Sequence, residues 1–195
     1  MKKPIFAIDF GTVFGVDQRL INRVKTVVSG LDPDYKKLKR EQHYHYDFAL
    51  NYPQNFREQI NIIKESPDFF WNLEPILGVK EAIDLLIKLN FNVLIVSLPI
   101  LGQNSEGVEH EKASLMFKHF MCEKMQISFV SVLDKTALEC DYLIDSNPDI
   151  EGSCKPKFNY LVYDEGYNYN LHIPSERKIN WQVFEPRLKA ILKHR

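Results

Sequence analysis

Asp9, Ser97, Lys135 and Asp145 are the residues of this chain whose types and order could do chemistry together. Asp9 closes the apolar run of "FAIDFGTVFG" just ahead of a glycine turn, a place where backbone N–H groups can face a bound anion. A carboxylate there could attack phosphorus and form an aspartyl-phosphate, or ligate a hard cation. It could equally cap the turn that follows, which is ordinary chemistry for an aspartate near a glycine. Ser97, at the end of "FNVLIVS", can hydrogen-bond a phosphate oxygen. Lys135 in "LDKT" can neutralise one, and Asp145 in "LIDSNPD" can hold Mg2+. Singly each is weak: a loop serine, a solvated lysine, a turn aspartate. In this order they form a complete set for phosphoryl transfer, in which a protein mostly positions groups and neutralises charge.

Such a set needs a scaffold that brings distant residues to one place. The runs "PIFAIDF", "FNVLIVS", "ISFVSVL", "DYLIDS" and "FNYLVYD" have strand length and alternate with helical patterns, which predicts an α/β protein with a mainly parallel sheet. Asp9, Ser97 and Asp145 then lie at carboxyl ends of strands, where open α/β sheets collect ligands. "EPILGVKEAIDLLIKLN" and "EGVEHEKASLMFKHF" carry apolar residues at helical spacing, and "WQVFEPRLKAILKHR" reads as a closing helix with Pro186 in its first turn. Residues 17–71 differ: "QRLINRVKTVVSGL" and "PQNFREQINIIKE" are helical patterns with no convincing central strand. They are expected to form a helical insertion, so the core comprises residues 1–16 and 72–195.

Composition sets limits on partners. Twenty-five Lys and Arg against 26 Asp and Glu in 195 residues advertise no polyanion surface, so a nucleic-acid polymer is not the expected partner. Cys122, Cys140 and Cys154 have no metal-ligand spacing and suit a reducing compartment. No apolar run approaches the roughly 18 residues of a membrane span, and "MKKPIFAIDF" is too interrupted for a signal peptide. The expectation is a soluble, intracellular protein of the cytoplasm with no membrane partner; whether it forms a homodimer is left open.

The order Asp9, Ser97, Lys135, Asp145 resembles the four motifs of the haloacid dehalogenase-like phosphatases. More narrowly, "FFWNLEPILGVKEAIDLLIKLNFNVLIVSLPI" and "VSVLDKTALECDYLIDSNPDIEG" are similar to the 5'(3')-deoxyribonucleotidases, as are "EHEKASLMFKHF", "LVYDEGYNYN" and the tryptophan before the final helix. The resemblance implies a Rossmann-like, haloacid dehalogenase-like core with a small helical cap inserted after the first strand. It implies a nucleotide substrate and a Mg2+ cofactor, with Asp9 as nucleophile, Ser97 and Lys135 holding phosphate, and Asp145 on the metal. Gly11 would add a backbone carbonyl to the ion and a place beside the phosphate. Tyr44, Tyr46 or Phe48 could stack on a base or could simply pack the cap; His43 and His45 read as packing or surface residues.

Three positions depart from that family. Its first motif carries a second aspartate two residues after the nucleophile, acting as general acid and base, where this chain has Gly11. Leu98 replaces a serine of the second motif, and Ser146 replaces an aspartate of the fourth, with Asp149 nearby as a candidate substitute. Losing a general acid typically costs about 10²- to 10⁴-fold in rate. Two functions follow as expectations: a slow nucleoside-monophosphate phosphatase, with Asp17 the nearest downstream carboxylate, or an inactive relative that binds a nucleotide or phosphate and sequesters it or regulates a partner.

Overall fold

A computed structural model describes residues 2–32, 34–35, 38, 47–66, 68–100, 105–121, 126–164, 168 and 171–193. Six parallel strands form one sheet in the order β3-β2-β1-β4-β5-β6. They are β1 (Ile5–Asp9), β2 (Asn92–Ser97), β3 (Ile127–Ser131), β4 (Tyr142–Asp145), β5 (Asn159–Tyr163) and β6 (Lys178–Ile179). The first five are the predicted runs. β6 is two residues long, too short for any period to show.

The central strand explains the layering. Phe6, Ala7 and Ile8 of β1 are all fully buried, as expected for a parallel strand covered on both faces. Phe6 and Ile8 join the large apolar cluster on one side, whereas Ala7 packs with Val96, Leu143 and Phe158 on the other. The helices are α1 (Phe10–Phe14), α2 (Val16–Leu31), α3 (Gln54–Asn61), α4 (Val79–Lys88), α5 (Ser105–Met116) and α6 (Phe184–Lys193). Described residues within 17–71 are helical or irregular and contain no strand. Their apolar faces, including Leu20, Val24, Phe56 and Ile60, belong to the same continuous cluster as Ile8, Phe10 and Leu86. Tyr44, Tyr46, His43, His45 and Cys122 lie outside the described residues. No described helix is long and apolar enough to cross a membrane.

The five-residue α1 sets the approach to β1. A helix leaves its last four carbonyls without internal partners, and here each of three finds one. Gly11 O accepts from Gly15 N at 3.0 Å, Thr12 O from the Trp181 indole at 2.8 Å, and Val13 O from Ile76 N at 2.8 Å. Gly15 closes the helix in the left-handed region, φ 60°, where glycine carries no Cβ penalty. Trp181 also meets Gly78, whose φ is 90° and where a Cβ would come within 3.1 Å of the Trp181 carbonyl. Thus two segments far apart in sequence are pinned to the short helix after Asp9. Gly78→Ala should destabilise the protein by about 1–3 kcal/mol through the strained backbone and this contact, measured as a lower urea midpoint with an unchanged slope.

Candidate active site

β2, β1 and β4 are neighbours in the sheet, so their last residues, Ser97, Asp9 and Asp145, stand side by side where the strand order reverses direction. Lys135 arrives from the turn after β3. Its ammonium donates to Asp9 Oδ1 at 2.5 Å and to Asp145 Oδ2 at 2.6 Å, bridging the two carboxylates. Asp145 is almost wholly buried, as is Lys135, while Asp9 keeps 14% of its side chain exposed. Asp9, Gly11, Ser97, Lys135 and Ser146 line one cavity of about 360 Å³ between the strand ends and residues of α2, α3 and the turn at Asp47–Ala49. Asp145 sits beneath it, out of the lining.

Asp9 does two jobs in this arrangement. Besides pairing with Lys135, it is the N-cap of α1, its Oδ2 accepting the Gly11 N–H at 2.7 Å. A Cβ at position 11 would fall 2.8 Å from that same oxygen. A side chain there would require the Asp9 carboxylate to shift. The Gly11 carbonyl, expected to face a metal, accepts from Gly15 N at 3.0 Å, as a helical carbonyl pointing along the axis does. At the carboxylate the residue presents its N–H instead.

Lys135 is held by a neighbour the sequence reading passed over. Asp134 accepts from Thr136 N and Oγ1 at 2.8 and 2.6 Å and from Ser153 N and Oγ at 2.7 and 2.5 Å, tying the turn after β3 to the loop after β4. These hydrogen bonds, first those of the Ser153 and Thr136 hydroxyls, hold the Asp134 carboxyl well below the usual carboxylate range. Gly152 passes so close that a Cβ would overlap Asp134 and Thr136. On the other side, buried Asn168 donates to Ser146 O and Tyr163 O, both at 3.0 Å, fixing the loop that leaves Asp145. Asp149 is exposed and is not among the residues that line the cavity.

The cavity also gathers charged groups that motif reading missed. Lys112 of α5 is 2% exposed, donating to Leu98 O at 3.0 Å and Glu109 Oε1 at 2.6 Å with Phe70 below it. Lys64 and Asp47 line the same space, together with Asp17, the downstream carboxylate named from the sequence. Phe48 both lines it and packs on Tyr52 with ring centroids 5.6 Å apart. "EHEKASLMFKHF" contained the signal for Lys112, since it puts Lys112 at helical spacing from the buried Val108 and Leu115.

Two carboxylates against one ammonium leave the centre of the site short of positive charge. Burial first, then Asp9, pushes the Asp145 carboxyl up to about 6, while Lys135 and the Asn147 N–H pull it down. Hard oxygen donors with surplus negative charge fit Mg2+, which is commonly held by one or two carboxylates together with water and substrate phosphate. Among the described residues no third acidic, histidine or cysteine side chain completes an all-protein cage. Because the folded protein binds the Asp145 proton more tightly than an unfolded chain does, this group's contribution to stability is full below about pH 4. It is lost as pH rises through about 6. In chelator, Asp145→Asn should therefore melt above the native protein at pH 7. The difference should vanish in thermal melts near pH 4.

No family model matches the chain, but individual proteins do. A Bordetella pertussis protein carrying the provisional name 5'(3')-deoxyribonucleotidase is 29% identical over 136 residues, 70% of this chain and 72% of that protein. The mitochondrial 5'(3')-deoxyribonucleotidase of Mus musculus is 34% identical over 123 residues, and that of Homo sapiens 32%. Each of these alignments takes in 61% of this chain and about half of the mammalian protein, 54% and 53%. The solved structure of a haloacid dehalogenase-like family hydrolase from Xanthomonas campestris aligns over 97% of both chains at 12% identity and a TM-score of 0.47, too remote to add weight. With the motif residues gathered at neighbouring strand ends, the chain is similar in sequence to proteins named 5'(3')-deoxyribonucleotidase.

Proposed function

We propose that the chain is a Mg2+-dependent phosphatase of nucleoside monophosphates, deoxy or ribo, working through an aspartyl-phosphate on Asp9. The observation that carries this reading is the Asp9–Lys135–Asp145 chain of charge-assisted hydrogen bonds at the floor of a cavity of nucleotide size. The names of the relatives supply the substrate class. Ser97 Oγ and Lys135 Nζ orient the phosphoryl group, and the Asp9 carboxylate attacks phosphorus in line with the departing nucleoside oxygen. Asp9 and Asp145 would hold Mg2+, which when bound neutralises charge on the phosphoryl oxygens. Turnover is slow in this reading, because position 11 carries no acid. The free thiols of Cys140 and Cys154 accord with a reducing, cytoplasmic setting, whereas the two mammalian relatives are named as mitochondrial.

One observation favours a second reading, a binder without turnover. Both Asp9 oxygens are engaged, Oδ1 by the Lys135 ammonium and Oδ2 by the Gly11 N–H, and position 11 carries no acid. Phosphate release from a panel of nucleoside monophosphates with Mg2+ decides between them. The native protein should release phosphate, and Asp9→Asn should abolish it. Calorimetric nucleotide binding without release would establish the binder instead. Gly11→Asp, whose Cβ would lie 2.8 Å from Asp9 Oδ2 and so needs that carboxylate to shift, should give no large gain in rate; a fast variant would show that Asp9 can turn away without loss.

A further inference from the structure

Breaking the phosphorus–oxygen bond of a nucleoside monophosphate expels an alkoxide, which leaves readily only if it receives a proton. Gly11 cannot give one. Among the described residues lining the cavity, the candidate donors are Asp17, Asp47, Lys64, Lys112 and Lys135. Lys135 is committed to two carboxylates, and its deprotonation would leave both without compensation. Asp47 is exposed and caps the turn at Ala49. Lys112 is different, being a buried ammonium in the wall next to the phosphate-holding strand end. Its carbonyl partner, Leu98 O, also accepts from Ser97 Oγ at 3.1 Å, so ammonium and hydroxyl converge on one oxygen. An ammonium has three N–H groups, and Leu98 and Glu109 are the partners of two.

Resting on the phosphatase reading, we propose that Lys112 is the proton donor of this site, in place of the carboxylate missing at position 11, with Glu109 as its route to solvent. In the first step an Asp9 oxygen bonds to phosphorus and the bond to the nucleoside oxygen breaks. That oxygen takes a proton from Lys112 Nζ, which becomes a neutral amine. In the second step water attacks phosphorus and its proton returns to Lys112, while the bond to Asp9 breaks with its electron pair staying on the carboxylate. The net change is monoester plus water to alcohol plus phosphate. Burial lowers the ammonium below its ordinary value and Lys64 adds to this. Glu109, on the same helix, and Asp9, at the end of β1, pull it back. A lysine brought down in this way is closer to working pH, where proton transfer is most efficient. Glu109, 28% exposed, can exchange protons with water.

The test compares leaving groups. Lys112→Met is assayed with Mg2+ on a nucleoside monophosphate and on p-nitrophenyl phosphate, whose phenolate leaves without a proton. The expected loss in kcat is about 10²- to 10⁴-fold on the nucleotide and within about tenfold on the phenyl ester. The same loss on both substrates overturns the donor role and makes Lys112 a phosphate-binding charge. A selective loss in Asp17→Asn instead transfers the role to Asp17. Should Lys112→Met not fold, Glu109→Gln, which keeps the shape and removes the recharging carboxylate, should show a smaller loss of the same selectivity; equal losses there also overturn the proposal. A native protein inactive on both esters overturns the phosphatase reading itself, an outcome distinct from activity on both with no selective loss.

Discussion

Asp9 and Asp145 end two adjacent strands, and the ammonium of Lys135 reaches both of them. Two carboxylates this close in a largely water-free place repel, and burial alone would drive one of them to take up a proton. Lys135 holds them together, and much of the surrounding structure serves to hold Lys135. The pairing of β1 with β4 fixes the carboxylates in register, with Ile8 opposite Ile144 one residue before each. Asp134, clasped by Thr136 and Ser153, locks the turn that carries the lysine against the loop leaving β4. Asn168 secures that loop from its other side. The site is thus a constraint on the sheet's edge-to-edge order as much as a set of side chains.

The second constraint acts at Gly11. Its N–H holds Asp9 Oδ2, and a Cβ there would lie 2.8 Å from that oxygen, so a side chain at position 11 requires the carboxylate to shift. Asp9 is at once the helix cap and the lysine's partner. The short helix in turn depends on Trp181 and Ile76 to satisfy its carbonyls. The final segment of the chain is thereby linked to the first strand end, an arrangement that accounts for the tryptophan before α6.

Position and charge also separate the lysines. Lys135 is fully engaged by opposite charges, while Lys112 is buried with one carboxylate and one carbonyl beside an aromatic ring. Identical side chains thus meet different environments within one cavity. Lys135 is paired with two carboxylates and Lys112 with one; burial favours the neutral form of an amine and each ion pair favours the charged one.

Much of the fold was legible because its signals are local. Apolar runs of strand length ending in Asp9, Ser97 and Asp145 depend on neighbours in sequence, and each strand ends on the residue expected. The helical spacing in α4 and α5 is of the same kind. β6 was not legible, since two residues carry no period and its pairing with β5 is a property of the sheet. The sequence by itself determined which residue types stand at the strand ends and that a carboxylate is lacking at position 11. Only the tertiary structure decided that Gly11 turns its N–H to Asp9, that Asp134 clasps the loop of Lys135, and that Lys112 enters the cavity. Those outcomes depend on packing between segments distant in the chain, where burial and hydrogen-bond geometry are set by the partner across the gap.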